Sequence, residues 1–323
     1  MGRGEPVAST RGRGCGGGRG RGCGPPQRQN GAANTSSHVE LNWRIVRAAN
    51  AGLEATLALL AAEPSDSLNA VNCCTALNRL ARLVGGPGDR AELQENAAFQ
   101  GLLGRLAALL PECSAKSVSI AIHACASLGV GNRQALAALG DAVRARCDEF
   151  DRQGLANVLW ALAKLPRAAR GDAPLLQLTR SCRRCAEDFT PQELANIIWA
   201  LPQLSAQDQQ LVQKLTLIAR HCMDSFTPQG LAMLALGTSN LGVYSETLFA
   251  CISKAVQSQV EKCNLQDAAQ ILTAFAKSKI QDAALFSALC SQACSADWDS
   301  HGSESVTSFL WALGSLQCVG GDS

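Results

Sequence analysis

Polar and apolar positions along this chain follow a helical rhythm inside a longer repeat. In 153-QGLANVLWALAKL-165, Leu155, Val158, Leu159 and Leu162 stand at offsets 0, 3, 4 and 7, one face of an α-helix. The block recurs as 192-QELANIIWALPQL-204, and more weakly as 229-QGLAMLALGTSNL-241, 266-QDAAQILTAFAKS-278 and 304-ESVTSFLWALGSL-316. Upstream copies are 116-KSVSIAIHACASL-128 and 71-VNCCTALNRLARL-83. The intervals between first positions are 45, 37, 39, 37, 37 and 38 residues. Thr190-Pro191-Gln192-Glu193 places Thr at N-cap, Pro at N1 and Glu at N3, a capping box. Thr227-Pro228, Asp151 and Asn264 hold the same register before their own copies.

A second helix is predicted between copies. Leu211, Leu215, Ile218 and Cys222 have helical spacing, as do Leu248, Ile252, Ala255 and Gln259, and Gly, Asp and Asn mark turns at Gly131-Asn132, Gly171-Asp172 and Leu241-Gly242. Each unit is thus a helix A followed by a helix B. One such hairpin cannot bury its apolar faces alone, but stacked neighbours can. The expected fold is all-α: by analogy with other helical-hairpin arrays, a right-handed α-solenoid of about seven repeats of ~37–38 residues. The array is expected over residues 38–323, with the last repeat incomplete and Ser37-His38-Val39-Glu40 capping its first helix. Residues 1–37, with five Arg-Gly pairs, are expected to be a disordered tail.

Composition agrees with helix. The 323 residues are 47% hydrophobic but 4% aromatic, with one Tyr, and Leu and Ala supply most apolar positions. The net charge of +2 averages unlike parts: residues 1–39 carry six Arg and one acid, so the remainder sums to about −3. The fifteen Cys are odd in number and follow no secretory signal, which predicts reduced thiols acting as small buried hydrophobes. No stretch reaches the 18 apolar residues of a membrane span.

The repeat unit, entered by TPQELANIIWAL, resembles the octotricopeptide and heptatricopeptide repeats of organellar RNA-binding proteins, including relatives of the FAS-activated serine/threonine kinase family and RAP-domain proteins. The block 69-NAVNCCTALNRLARL-83 looks like the start of such arrays in algal and protist proteins. Helical-repeat subunits of the RNA-editing substrate-binding complex are similar. The resemblance covers roughly residues 40–318. The Pro-Pro-Pro-Glu-Trp motif of octotricopeptide repeats is absent, which leans towards the heptatricopeptide-like branch, and no RAP domain follows the last copy. It implies single-stranded RNA (mRNA or rRNA) as partner, with other subunits of a ribonucleoprotein complex. It also implies a role in RNA processing, stability, editing or ribosome assembly in a mitochondrial or chloroplast matrix, with cytoplasm as the alternative.

Candidate contacts lie on the polar face of helix A. Offsets 0, 4, 8 and 11 give Gln153, Asn157, Ala161 and Lys164; Gln192, Asn196, Ala200 and Gln203; Gln229, Met233, Gly237 and Asn240; and Gln266, Gln270, Ala274 and Lys277. Amides stacked in this way can read base edges, as in one-base-per-repeat arrays. The competing reading is that Gln at N2 serves the helix terminus and the small third column serves helix packing. Arg79, Arg82, Lys164 and Lys277 are candidate phosphate contacts, although cations there also favour the helix dipole. Trp160, Trp199 and Trp311 share a column with His123; a stacking platform is one reading, a core knob the preferred one. Cys182-Arg183-Arg184-Cys185 is a lone CxxC without the second pair that zinc needs. No nucleophile–base order, P-loop or HExxH motif is present, so neither enzyme activity nor a metal, cofactor, membrane or small-molecule substrate is expected. The Arg-Gly tail reads as a non-specific RNA-binding segment, an atypical transit peptide or a leader without function. The competing function is a HEAT- or armadillo-type protein scaffold with no RNA contact.

Overall fold

The structure, a computed structural model, describes residues 30–170, 173–206, 208–294 and 303–319; the Arg-Gly pairs and the Gly171-Asp172 turn lie outside them. Among the described residues the regular structure is entirely helical. Two helices open the order, α1 (Asn30–Ala51) and α2 (Leu53–Ala62). The repeats follow: α3 (Ala70–Leu83), α4 (Pro87–Glu95), α5 (Ala97–Leu109), α6 (Ala115–Leu128), α7 (Arg133–Ala145), α8 (Arg152–Lys164), α9 (Arg167–Arg170) and α10 (Leu175–Arg184). Then come α11 (Pro191–Gln203), α12 (Gln209–His221), α13 (Pro228–Asn240), α14 (Glu246–Gln257), α15 (Leu265–Ser278), α16 (Ala283–Cys294) and α17 (Ser303–Val319). The chain divides into units 1–37 and 38–323, and the second is an α-solenoid of helical hairpins.

Its A helices are α3, α6, α8, α11, α13, α15 and α17, each packed against the next; α5, α7, α10, α12, α14 and α16 form the B row. The core runs between the rows: Leu155, Val158, Leu159 and Leu162 of α8 are all buried, as are Leu211 and Leu215 of α12. Two irregular intervals have local causes. The 45-residue first interval holds the extra helix α4, and the 39-residue interval holds α9.

Helix starts are fixed by side chains at the repeat period. Asp151 Oδ1 accepts from Gly154 N at 2.7 Å, Thr227 Oγ1 from Gly230 N at 3.1 Å and Asn264 Oδ1 from Asp267 N at 2.8 Å. Thr190 Oγ1 accepts from Glu193 N at 3.4 Å, and Glu193 Oε2 accepts from Thr190 N at 2.8 Å, closing the capping box. Asn69 and Ser114 cap α3 and α6 in the same register. Each such cap contributes about 1 kcal/mol.

Helix ends recur as well. Thirteen residues after the first position of their copies, Gly129, Ser205, Gly242 and Lys279 all adopt positive φ. The next residue's N–H then reaches back into the last turn, as Ile280 N does to Phe275 O at 3.1 Å, the Schellman geometry. Pro166 holds this place after α8, where its ring forbids positive φ, and there the chain turns into α9 instead.

One start differs from expectation. Ser37 lies inside α1, which begins at Asn30. The helix runs on upstream of the Ser-x-x-Glu pattern, through Ala32 and Ala33, both good helix formers.

Candidate functional site

At about 100° per residue, offsets 0, 4, 7 and 11 of an A helix fall within about 60° of one another, whereas offset 8 lies to the side. The structure sorts the columns accordingly. Gln153, Gln192, Gln229 and Gln266 are exposed near the starts of α8, α11, α13 and α15, and Lys164, Gln203, Asn240 and Lys277 are exposed in the last turns. Asn157, Asn196 and Gln270 are half-buried between them. Arg82 is exposed in the last turn of α3, at offset 11, while Arg79 is half-buried at offset 8. Neighbouring members of the stripe touch: Gln192 Nε2 donates to Asn196 Oδ1 at 3.0 Å, and Lys277 Nζ to Asn240 Oδ1 of the preceding repeat at 3.0 Å.

The small third column does not belong to this face. Ala124, Ala161, Ala200, Ala274 and Ala312 have at most 1% exposure, and Gly237 is buried. A Cβ on Gly237 would stand 2.7 Å from Ile198 O, so α13 meets the backbone of α11 there. Small residues at offset 8 set the spacing of stacked A helices, and no base reaches them.

In the aromatic column Trp160 and Trp199 are half-buried: they pack against the core, as the preferred reading expected, and stand at the edge of the exposed stripe. His123, Trp160 and Trp199 form a ladder across three repeats, with ring centroids 4.7 Å apart at the first step and 6.4 Å at the second, tilted by 30° and 38°. The Lys164 ammonium lies 5.6 Å from each indole centroid, within cation–π range. Burial lowers the His123 pKa below its ordinary value, which favours the neutral imidazole. The sequence signal was present, since the column falls at −20° on the helical wheel beside the polar positions. What it lacked was the neighbouring helix that decides which flank is covered.

Beyond the second indole lies a cleft of about 200 Å³ lined by Lys164, Gln229, Met233 and Gln270 as well as the two Trp. It is smaller than a drug-sized pocket of about 300–1,000 Å³. Larger depressions, near 650 Å³, sit by the A–B turns, one of them reaching Asn240.

Charge on the stripe is one-sided. Between residues 71 and 277 the four columns carry Arg82, Lys116, Lys164 and Lys277 and no carboxylate. The nearby acids Glu193 and Asp267 are buried in capping boxes. Glu193 is paired with Arg152 Nη1 of the preceding repeat at 2.8 Å. Burial pushes the Asp267 carboxyl above the usual carboxylate range, only partly offset by the N–H of Asn264. Asp267 nonetheless also lines the cleft beside the two Trp.

The CxxC is a structural pair. Cys182 and Cys185 are free thiols; burial raises both pKa values, and Cys185 Sγ donates to Ser181 O at 3.3 Å. Among the described residues no three His, Cys, Asp or Glu are grouped to hold a metal, and no helix is long and apolar enough to cross a membrane.

In comparison with known proteins, residues 176–318, from α10 into α17, match the model of the RNA-editing substrate-binding complex 6 protein. No curated protein matches the chain.

Proposed function

We propose that this chain binds single-stranded RNA along the exposed stripe of its A helices. It works without catalysis of its own, as a subunit of a ribonucleoprotein assembly. The observation that carries this reading is the charge segregation: between residues 71 and 277 the four columns carry four cations, amides at ten of twenty-four positions and no carboxylate, the first acid on them being Glu304 of the last copy, in a repeat region of net charge about −3. Phosphate neutralisation supplies most non-specific affinity for nucleic acid, and exposed amides supply base-edge contacts. The match to the RNA-editing substrate-binding complex 6 protein supports a place in RNA editing or related RNA processing. The heptatricopeptide-like repeat supports an organellar matrix, mitochondrial or plastid, as the setting.

The test is filter binding of the full chain to short single-stranded RNA at two salt concentrations. Replacing Asn157, Asn196 and Gln270 together by Ala should weaken binding. Lys164→Gln with Lys277→Gln should flatten the slope of log affinity against log salt by about 1.4, at about 0.7 per phosphate contact on single strands. Removing residues 1–29 should leave most of the affinity. Affinity that vanishes with those residues, while the Ala variant binds like the parent, assigns RNA contact to the Arg-Gly tail and overturns the proposal. No affinity at all leaves the protein-scaffold reading in its place.

A further inference from the structure

The two ends of the A helices differ in charge. The short 3-10 helices that lead into them each carry an exposed carboxylate: Asp66, Glu112, Glu187 with Asp188, Asp224 and Glu261. The opposite ends, from the last turn of A into the first turn of the next helix, are basic in the copies that start at Lys116 and Gln153. Arg133, Lys164 and Arg167 are exposed there, and no carboxylate is exposed there among the described residues. A cavity of about 630 Å³ opens on that side, between α7 and residues 166–170. Arg133, Arg144 and Arg170 line it, together with Val130, Leu136 and Pro166. Asp141 lines it too, but is paired with Arg144. A cavity of about 650 Å³ occupies the same place two repeats later; there Gln209 stands where this one has Arg133, and no cation lines it.

The cations have separate causes. Pro166 turns the chain into α9, which brings Arg167 and Arg170 to the A-helix ends. Arg170 caps those ends: Nε donates to Leu165 O and Nη2 to Ala163 O, both at 2.8 Å, and Nη1 to Gln203 O at 3.0 Å. Three of its five N–H groups are thereby used, which fixes the guanidinium and leaves two for a ligand. Burial, and then the charge of Arg167, lowers the Arg170 pKa; both guanidiniums stay charged, so a nearby anion relieves their repulsion. Arg133 has no such structural role. It is the first residue of α7, where the helix dipole disfavours a cation, and no carboxylate pairs with it among the described residues.

Resting on the RNA-binding reading, we infer that this cavity is a second contact for the strand: Arg133 and Arg170, with Arg167 beside them, take backbone phosphates of single-stranded RNA where it leaves the A-helix stripe beyond Lys164. The contact is independent of sequence and fixes the side of the stripe on which the backbone runs. The exposed carboxylates at the other ends of the A helices repel phosphate and enforce the same side.

The experiment is filter binding of the full chain to short single-stranded RNA across a range of salt. Arg133→Gln with Arg167→Gln removes two phosphate contacts and should lower the slope of log affinity against log salt by about 1.4; that is about 25-fold in affinity at about 0.1 M salt and almost nothing near about 1 M. Ala137→Glu, which sets a carboxylate on the exposed wall of the cavity, should also weaken binding. Gln209→Glu, at the position equivalent to Arg133 in the later cavity, should bind like the parent. If the double Arg variant and Ala137→Glu bind like the parent while Lys164→Gln with Lys277→Gln binds more weakly, the cavity contact is overturned and the stripe stands. A loss from Gln209→Glu as large as that from Ala137→Glu reduces the effect to net charge and overturns the contact too. A parent chain that binds no RNA overturns both readings. Phenylglyoxal modification of the unmodified chain, read by mass spectrometry, covers a variant that does not fold. RNA should protect Arg133 and Arg167 several-fold. Unchanged modification of both with RNA bound overturns the contact, as does protection by inorganic phosphate but not by RNA, which assigns the cavity to a free anion.

Discussion

Gly237→Ala should destabilise the protein, although the same change in an open helix stabilises it. Within a helix, Gly→Ala gains about 1 kcal/mol from backbone entropy. At Gly237 the added methyl would lie 2.7 Å from Ile198 O and 2.9 Å from both Ile198 C and Ile198 Cγ2. Two of those atoms are backbone of α11, so relief requires α13 to move away from its neighbour. Overpacking of that kind costs about 1–3 kcal/mol, and the balance is a loss of up to about 2 kcal/mol. Gly104 in α5 is the internal control: it is exposed, nothing lies within 4 Å of its would-be Cβ, and Gly104→Ala should gain up to about 1 kcal/mol. Urea denaturation of both variants reads the difference, with the denaturant slope held constant as the check on cooperativity. Equal stabilisation by the two changes would refute the claim that offset 8 sets the A-helix spacing.

Three further outcomes follow from the same geometry. Glu193→Ala removes the acceptor for Thr190 N and the carboxylate facing Arg152, whose Nη1 keeps its bond to Asp188 O, and should cost about 1–2 kcal/mol; Glu193→Gln, which retains an acceptor, should cost less, and urea midpoints showing equal losses would contradict the capping box. Lys279 sits at φ 55° where Gly129 and Gly242 hold the equivalent place, so Lys279→Gly should stabilise by about 1 kcal/mol by thermal melting, and a destabilised variant would be the wrong sign. Burial pushes the Cys73 and Cys74 thiols up to about 12 and also raises Cys125 and Cys182, so all four should resist iodoacetamide at pH 7.5 while exposed Cys294 reacts; mass spectrometry showing them alkylated as fast as Cys294 would contradict their burial in the native state.

The sequence carried the repeat because caps and apolar spacing were written together: Thr190-Pro191 and Glu193 announce α11 as clearly as the Leu and Ile positions behind them. It also carried the exposed amide stripe, since Gln153, Gln192, Gln229 and Gln266 are polar at a position that a lone helical wheel already sends outward. It did not decide between offsets 7 and 8. Both flank the polar face on a wheel, and only the approach of the neighbouring A helix buries Ala161 and Ala200 while leaving the edges of Trp160 and Trp199 open. The start of α1 was missed for a local reason, because a Ser-x-x-Glu spacing fits a helix interior as well as a terminus, and α1 begins seven residues before Ser37. The charge contrast was legible only as a net value. Placing the basic side chains on one face and burying Glu193 and Asp267 under caps required the stacked helices.

Photo-crosslinking tests the central claim most directly. The full chain bound to 4-thiouridine-containing single-stranded RNA is irradiated, and the crosslinked peptides are identified by mass spectrometry. Crosslinks are predicted on the A helices, at residues 153–164, 192–203, 229–240 and 266–277. Crosslinks confined to the B helices α10, α12 and α14, or to residues 1–29, would contradict the assignment of the A-helix stripe as the RNA-binding face.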